Sequence, residues 1–140
     1  MRIIGGIIVA GQIIRIDGDE ESIILKPGKK YFISQDQRFR TDEALLNERS
    51  ELVKIIEAAG SHVVDEAISI AANSQVFEDF KRATRLHHNL SLWFASRSLA
   101  AMAEADAIIF LPGYRFSRGC MVEYYAAQFY NLPMYRFIPE

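Results

Sequence analysis

The sequence contains a single cysteine, Cys120, among its 140 residues. One cysteine cannot form an intramolecular disulfide, which excludes the small secreted folds that depend on disulfide frameworks. The Cys and His residues also lack the spacing of a zinc site, so no metal site is expected. These absences predict a protein of a reducing, cytoplasmic compartment.

The sequence also has no large excess of positive or negative charge and no long apolar run. The chain has 16 Lys and Arg against 18 Asp and Glu, a formal net charge of −2, which argues against general nucleic-acid binding. No apolar run approaches the length that crosses a membrane. The N-terminal "MRIIGGIIVAGQII" has one charged residue and no small-residue cleavage pattern, so it predicts a strand rather than a targeting segment. We therefore expect neither a nucleic-acid nor a membrane partner.

The composition that remains is that of a globular protein. Half of the residues are hydrophobic and 24% are charged, and 140 residues suffice for one domain with a full core. Residues 1–28 are rich in Ile around the turn-forming "DGDEES", which predicts a β-hairpin extension. Residues 29–140 then form the predicted core of the single domain.

Strand and helix patterns alternate through that core. "KYFIS" (30–34) reads as a strand, Thr41 as the N-cap of a helix that ends at Gly60, and "SHVVDEA" as a second strand, which together make a β-α-β unit. Residues 74–104 are predicted to be helical with a break near "LHHN". The apolar "AIIFL" indicates a buried strand, "CMVEYYAAQFYN" a helix and "PMYRFI" a final strand. The predicted fold class is α/β: a small doubly wound parallel sheet flanked by helices.

Two polar loops, "SQDQRFRT" and "PGYRFSRG", follow the carboxyl ends of predicted strands, where ligands bind in such sheets. Each loop leads into a helix N-terminus, which favours an anion. A phosphate-bearing small molecule is the predicted ligand, although solvated loop arginines are an equal alternative. Ser117 and Gly119 likewise either cradle a phosphate or only form the turn and cap of the helix. The arginines of the two loops are Arg38, Arg40, Arg115 and Arg118.

Glu123, at the start of the last predicted helix, has two interpretations. The helix dipole would keep its carboxylate ionised, as a nucleophile requires, but acidic residues are also common at helix starts. The pair His87-His88 has no nearby acidic or cysteine partner, so we interpret it as a solvated helix end. Asp106 is interpreted as a turn residue before a strand, and Cys120 as a small core residue.

Two segments together resemble a known family. "KKYFISQDQRFRTDEALLNERSELVKIIEAAGSHVV" and "AEADAIIFLPGYRFSRGCMVEYYAAQFYNLPMY" are similar to the nucleoside 2-deoxyribosyltransferase-like superfamily, in particular to small nucleotide N-glycosidases and related phage and bacterial proteins. The resemblance covers about residues 29–137. Its most specific part is the run from A-D-A through L-P-G and S-R-G to the glutamate.

The resemblance implies an activity and roles for individual residues. A glutamate, here Glu123, would attack the anomeric carbon of a nucleoside or nucleotide and form a glycosyl ester, which water or a second base then resolves. Tyr31 would orient this glutamate or stabilise the site. The family implies neither a metal nor an organic cofactor, and it implies a homo-oligomer. The residues expected against the sugar or phosphate are Ser34, Gln35, Arg38, Arg40, Ser98, Ser117, Arg118 and Gly119.

One departure from the family pattern leaves two hypotheses open. Ser98 stands where the family commonly has an aspartate that contacts the sugar or assists departure of the base, and a serine supplies no carboxylate. The chain is then either an enzyme that cleaves or exchanges the N-glycosidic bond of a nucleotide, or a catalytically silent nucleotide-binding module. A structural subunit that assembles through its Ile-rich hairpin is a third, weaker possibility.

Overall fold

The computed structural model describes residues 2–4, 7–9, 11–38, 40–64 and 74–140. It has α/β architecture, with a six-stranded sheet and four α-helices. The strands are β1 (Arg2–Ile4), β2 (Ile7–Val9), β3 (Gln12–Arg15), β4 (Ser22–Ile23), β5 (Lys30–Ser34), β6 (His62–Val63), β7 (Ala107–Phe110) and β8 (Met134–Ile138). The helices are α1 (Asp42–Ala58), α2 (Ser74–Leu86), α3 (Leu90–Met102) and α4 (Arg118–Phe129), with a 3-10 turn at Tyr114–Phe116.

The sheet is mixed, with the strand order β4-β3-β8-β7-β5-β6. The four strands β8, β7, β5 and β6 are parallel, whereas β3 pairs antiparallel with β8 and β4 pairs antiparallel with β3. This arrangement confirms the predicted α/β sheet flanked by helices.

The predicted hairpin around "DGDEES" is present as β3 and β4, but it is not an appendage. Ile13 of β3 is opposite Phe137 of β8, and both side chains are buried. The hairpin therefore belongs to the main sheet and covers the edge that β8 would otherwise expose. Ahead of it, β1 and β2 form a separate two-stranded sheet with Ile3 opposite Ile8.

Local signals set the bounds of α1 as predicted. The hydroxyl of Thr41 accepts a hydrogen bond from the Ala44 N–H at 3.1 Å, which makes Thr41 the N-cap. Gly60 follows the last turn with φ of 79°, a left-handed conformation that favours glycine. The next strand, β6, is short in the described structure, and residues 65–67 of the predicted strand lie outside the described residues.

Alternation along the strands divides the core into two layers. One layer packs against α1 and the other against α3 and α4, because successive strand residues point to opposite faces. The α1 layer includes Tyr31, Ile33, Leu52, Ile56 and Ile109. The α4 layer includes Phe32, Ile108, Phe110, Met102, Cys120 and Ala127.

The predicted break in the helical segment 74–104 falls between α2 and α3. Asn89 caps α3 by accepting a hydrogen bond from the Leu92 N–H at 3.1 Å, and His87 and His88 are exposed beside it. The two helices are joined by an ion pair between Arg97 and Asp79 at 3.2 Å. Among the described residues, no helix combines the length and the apolar character needed to cross a membrane.

Candidate functional site

The candidate site lies at the point where the connections of the sheet diverge. From β5 the chain passes through α1 to β6 on one side, whereas β7 lies on the other side of β5. Ligands of open α/β sheets bind outside the carboxyl ends of the strands at such a point. The loops that leave β5 and β7 meet here, because the Arg38 Nη2 donates a hydrogen bond to the Phe116 carbonyl at 2.9 Å.

Ser34 and Glu123 form the central contact of the site. Ser34 is the last residue of β5, and its side chain points to the α4 face, as does that of Phe32. Its hydroxyl donates a hydrogen bond of 2.6 Å to Glu123 Oε1. Glu123 lies between the buried Cys120 and Ala127 along α4, at spacings that share one helix face. Glu123 is only partly buried, so the residue keeps some exposed surface beside this contact.

Cys120 is 1% exposed and belongs to the α4 layer of the core, which confirms its interpretation as a core residue. Burial raises the pKa of its thiol, hydrogen bonds to Ser117 and Ser34 lower it, and the negative charges of Glu123 and Asp36 raise it further. The net pKa is above the ordinary value. A thiol that stays protonated is a poor nucleophile, which leaves Glu123 as the stronger nucleophile candidate of the two.

Asp36, two residues beyond Ser34, is the next carboxylate in the loop after β5. Burial raises its pKa, but hydrogen bonds from Arg38 and the charges of Arg38 and Arg40 outweigh that effect and leave the pKa below its ordinary value. A carboxylate in that state does not donate a proton at neutral pH. Asp36 was not singled out from the sequence, although its spacing to the two arginines is visible there.

The loop arginines contact the protein as well as solvent. Arg38 pairs with Asp36 at 3.2 Å in addition to its bond to Phe116. Arg40 pairs with Glu48 and also donates to the Asp36 carbonyl. These contacts fix both guanidinium groups to neighbouring residues of the protein.

The arginines after β7 are more loosely held. Arg118 is exposed, and its Nη2 lies 3.5 Å from the Ser91 hydroxyl. The guanidinium of Arg115 lies over the ring of Tyr114, with 5.3 Å between its central carbon and the ring centroid. Both therefore retain exposed donors near the start of α4.

Ser117 and Gly119 lie at the N-terminus of α4. Ser117 is buried and is the N-cap, because its hydroxyl accepts a hydrogen bond from the Cys120 N–H at 3.2 Å. Gly119 is exposed, and a Cβ added there would lie 4.0 Å from the Ser117 Oγ. Space thus remains beside the helix N-terminus, where unpaired N–H groups favour an anion.

Tyr31 is placed apart from Glu123. It precedes Ser34 by an odd number of strand positions, so its side chain points to the opposite face of the sheet, where it is buried in the α1 layer. Burial raises the pKa of its hydroxyl, and the charges of Tyr135 and Asp106 raise it further. The predicted orienting contact between Tyr31 and Glu123 does not fit this placement.

The side chain of Gln35 is directed toward α1 and not toward Glu123. The Gln35 amide donates to the Leu45 carbonyl at 2.9 Å and to Glu48 at 3.2 Å, both on α1. Its carbonyl oxygen is buried, with no hydrogen-bond partner in the described part of the chain. Ser98 is half-buried on α3, which packs beside α4.

Asp106 has the structural role that its sequence position predicted. Its carboxylate accepts a hydrogen bond from the Lys30 N–H at 2.8 Å and so joins the amino ends of β7 and β5. No cluster of three or more His, Cys, Asp or Glu side chains that could hold a metal ion occurs within the described ranges.

Comparisons of the whole chain with known proteins give no relative: no protein-family model, no curated protein and no solved structure matches it.

Proposed function

We propose that the protein cleaves or exchanges the N-glycosidic bond of a nucleoside 5′-monophosphate or a related nucleotide, with Glu123 as the nucleophile. The observation that carries this proposal is the Glu123 carboxylate, held by Ser34 at 2.6 Å and partly exposed at the carboxyl edge of the sheet. A carboxylate fixed in this way and accessible to a ligand has the placement that covalent catalysis at a sugar carbon requires.

The proposed reaction has two steps. A Glu123 oxygen attacks C1′ of the sugar, the C1′–N bond breaks, and the base leaves with the bonding electron pair and takes a proton from water. In the second step water attacks C1′, the ester bond to Glu123 breaks, and the water gives up a proton to solvent. A second base in place of water gives exchange. Two displacements at one carbon retain its configuration.

Neither Ser98 nor Asp36 can supply a proton to the departing base. Ser98 carries no carboxyl, and Asp36 is kept ionised by Arg38 and Arg40. General acid catalysis typically contributes about 10²–10⁴-fold, so we expect slow turnover or a substrate whose base leaves readily.

The 5′-phosphate is proposed to bind at the N-terminus of α4. Ser117 and Gly119 supply the helix start, while Arg38 and Arg118 carry exposed positive charge beside it. The helix dipole and the guanidinium groups both favour a phosphate there.

A nucleotide-binding module without cleavage is the second candidate. Two observations together favour it: Ser98 has no carboxyl group, and Asp36 is held in its ionised form by Arg38 and Arg40. Such a module would use the same arginines and the same helix terminus, and it would bind the nucleotide without releasing its base.

We also propose that the protein is a cytoplasmic homo-oligomer. The outer face of α4 exposes Val122, Tyr125 and Phe129, the last two 50% and 75% accessible, with their rings stacked on each other. An aromatic face of this kind is favourable to cover.

The test is chromatographic detection of free base after incubation with a panel of ribo- and deoxyribonucleoside 5′-monophosphates. Base release that is lost in Glu123→Gln and kept in Glu104→Gln, an exposed glutamate beyond α3, is the expected result. Saturable thermal stabilisation by a nucleotide without base release would favour the binding module.

A further inference from the structure

We infer that Ser34 is a positioning residue for the Glu123 carboxylate and not a contact for the substrate. The kinetic part of this inference rests on the proposed function, whereas the structural part rests on the hydrogen bond alone.

The location of Ser34 leaves its hydroxyl facing the protein. Ser34 is 1% exposed, and at the last position of β5 it is opposite Phe110 of the neighbouring strand β7. A buried hydroxyl needs a hydrogen-bond partner, since an unpaired one is costly. Here the acceptor is Glu123 Oε1 at 2.6 Å. A side chain this enclosed is poorly placed to reach a sugar or a phosphate.

The buried surroundings of the Ser34–Glu123 hydrogen bond strengthen it. Ser34 lies with Ser117 and Cys120 in a small buried polar group on a sheet face that is otherwise apolar. Hydrogen bonds in such surroundings are less screened than those in water. A donor fixed to a strand end and an acceptor fixed to a helix hold one carboxylate oxygen, which limits rotation of the group. Orientation of this kind contributes to catalysis because misplacement of a nucleophile slows attack.

The same contact affects the charge of Glu123. A hydrogen bond to the ionised form of a carboxyl favours that form. Other titratable groups of this face are Cys120, Asp36, Tyr114 and Tyr124. The charges of Glu123 and Asp36 both act on Cys120. Removing the Ser34 hydroxyl acts on Glu123 and also removes the hydrogen bond between Ser34 and Cys120, while Asp36 stays in place.

The first experiment follows the Glu123 side-chain carboxyl by ¹³C NMR during a pH titration, with Glu123→Gln to assign the signal. In Ser34→Ala the titration midpoint is expected to move to higher pH. Ser34→Cys, which keeps the size and has a weaker donor, is expected to lie between Ser34→Ala and the unchanged protein. Equal midpoints in all three proteins would overturn the inference.

Ser61→Ala is the matched control. Ser61 is also 1% exposed, and its hydroxyl also donates at 2.6 Å, but to the Lys26 carbonyl near the amino edge of the sheet. The Ser61→Ala variant therefore loses a hydrogen bond of a buried serine hydroxyl that is not made to Glu123. A Glu123 midpoint that moves equally in Ser61→Ala would show a general loss of structure and would also overturn the inference.

The second experiment measures steady-state kinetics on whichever nucleotide releases base. Ser34→Ala is expected to lower kcat by about tenfold or more, with KM changed by less than about twofold. A raised KM with unchanged kcat would instead make Ser34 a substrate contact. Absence of base release in the unchanged protein would reject the proposed function, and the titration would still decide the role of Ser34.

Discussion

Arg38 and Phe116 are 78 positions apart in the chain and are joined by a hydrogen bond of 2.9 Å from the guanidinium to the main-chain carbonyl. This bond ties the loop after β5 to the loop after β7 at the carboxyl edge of the sheet. Asp36 accepts a hydrogen bond from Nε of the same guanidinium, so Arg38 connects Asp36 in the first loop to Phe116 in the second.

Replacement of Arg38 by Gln is expected to increase the mobility of the loop after β7, because that loop loses the hydrogen bond to Phe116. Amide hydrogen exchange of residues 112–117 should become faster, while the free energy of unfolding should fall by less than about 1 kcal/mol, because the side chain is exposed. Exchange measured by mass spectrometry checks this. Arg85 is an exposed arginine on α2, and Arg85→Gln is the control. Unchanged exchange in Arg38→Gln would contradict the proposed link between the two loops.

The raised pKa of Cys120 predicts that the free energy of unfolding decreases at alkaline pH. Its pKa is raised in the folded protein, so above the unfolded value of about 8.5 the native state binds more protons than the unfolded state. The free energy of unfolding should therefore decrease as the pH rises past that value.

Denaturant unfolding between pH 7 and 10 measures this dependence. In Cys120→Ser the decrease should begin only near pH 10, where Tyr31 and Tyr135, whose pKa values are also raised by burial, begin to titrate in the unfolded chain. Identical profiles for the two proteins would show that the Cys120 thiol does not contribute.

Two truncations separate assembly from folding. Removal of residues 1–10 takes away β1 and β2 and leaves the six-stranded sheet complete, and we expect it to lower the oligomeric mass. Removal of residues 1–27 also deletes β3, exposes the edge of β8 and uncovers Phe137, so it should destabilise the fold. Light scattering and thermal unfolding distinguish these effects, and an unchanged mass after the shorter truncation would count against assembly through β1 and β2.

Tyr31→Phe tests the placement of Tyr31 against the role implied by the family resemblance. Since the side chain is buried on the α1 face, loss of its hydroxyl should change kcat by less than about twofold, far below the loss expected of a group that orients a nucleophile. A loss of kcat comparable with that of Ser34→Ala would restore Tyr31 to the site.

Much of the fold was predictable because it depends on local signals. Thr41, Gly60 and the break at Asn89 are read from neighbouring residues, and the switch-point rule correctly brought the two polar loops together. The pairing of β3 with β8 was missed, since contacts between residues so distant in sequence leave no local pattern. The Ile-rich segments around the turn-forming "DGDEES" indicated a hairpin without indicating its neighbour in the sheet.

The site was less predictable than the fold. Strand alternation alone separates Tyr31 from Ser34, so their opposite faces could have been inferred from the sequence. The Ser34–Glu123 bond could not, because it depends on how closely α4 approaches the end of β5. The partners of Arg38 and Arg40 likewise depend on side-chain geometry, which the spacing of charges does not determine.

The most direct test of the role of Glu123 is mass spectrometry of the covalent intermediate. The protein is incubated with nucleoside 5′-monophosphates and their 2′-fluoro analogues, quenched with acid and digested. A glutamate nucleophile predicts a sugar-phosphate adduct on the peptide that contains Glu123, and no adduct in Glu123→Gln. Base release that persists in Glu123→Gln without any adduct would contradict a glutamate nucleophile.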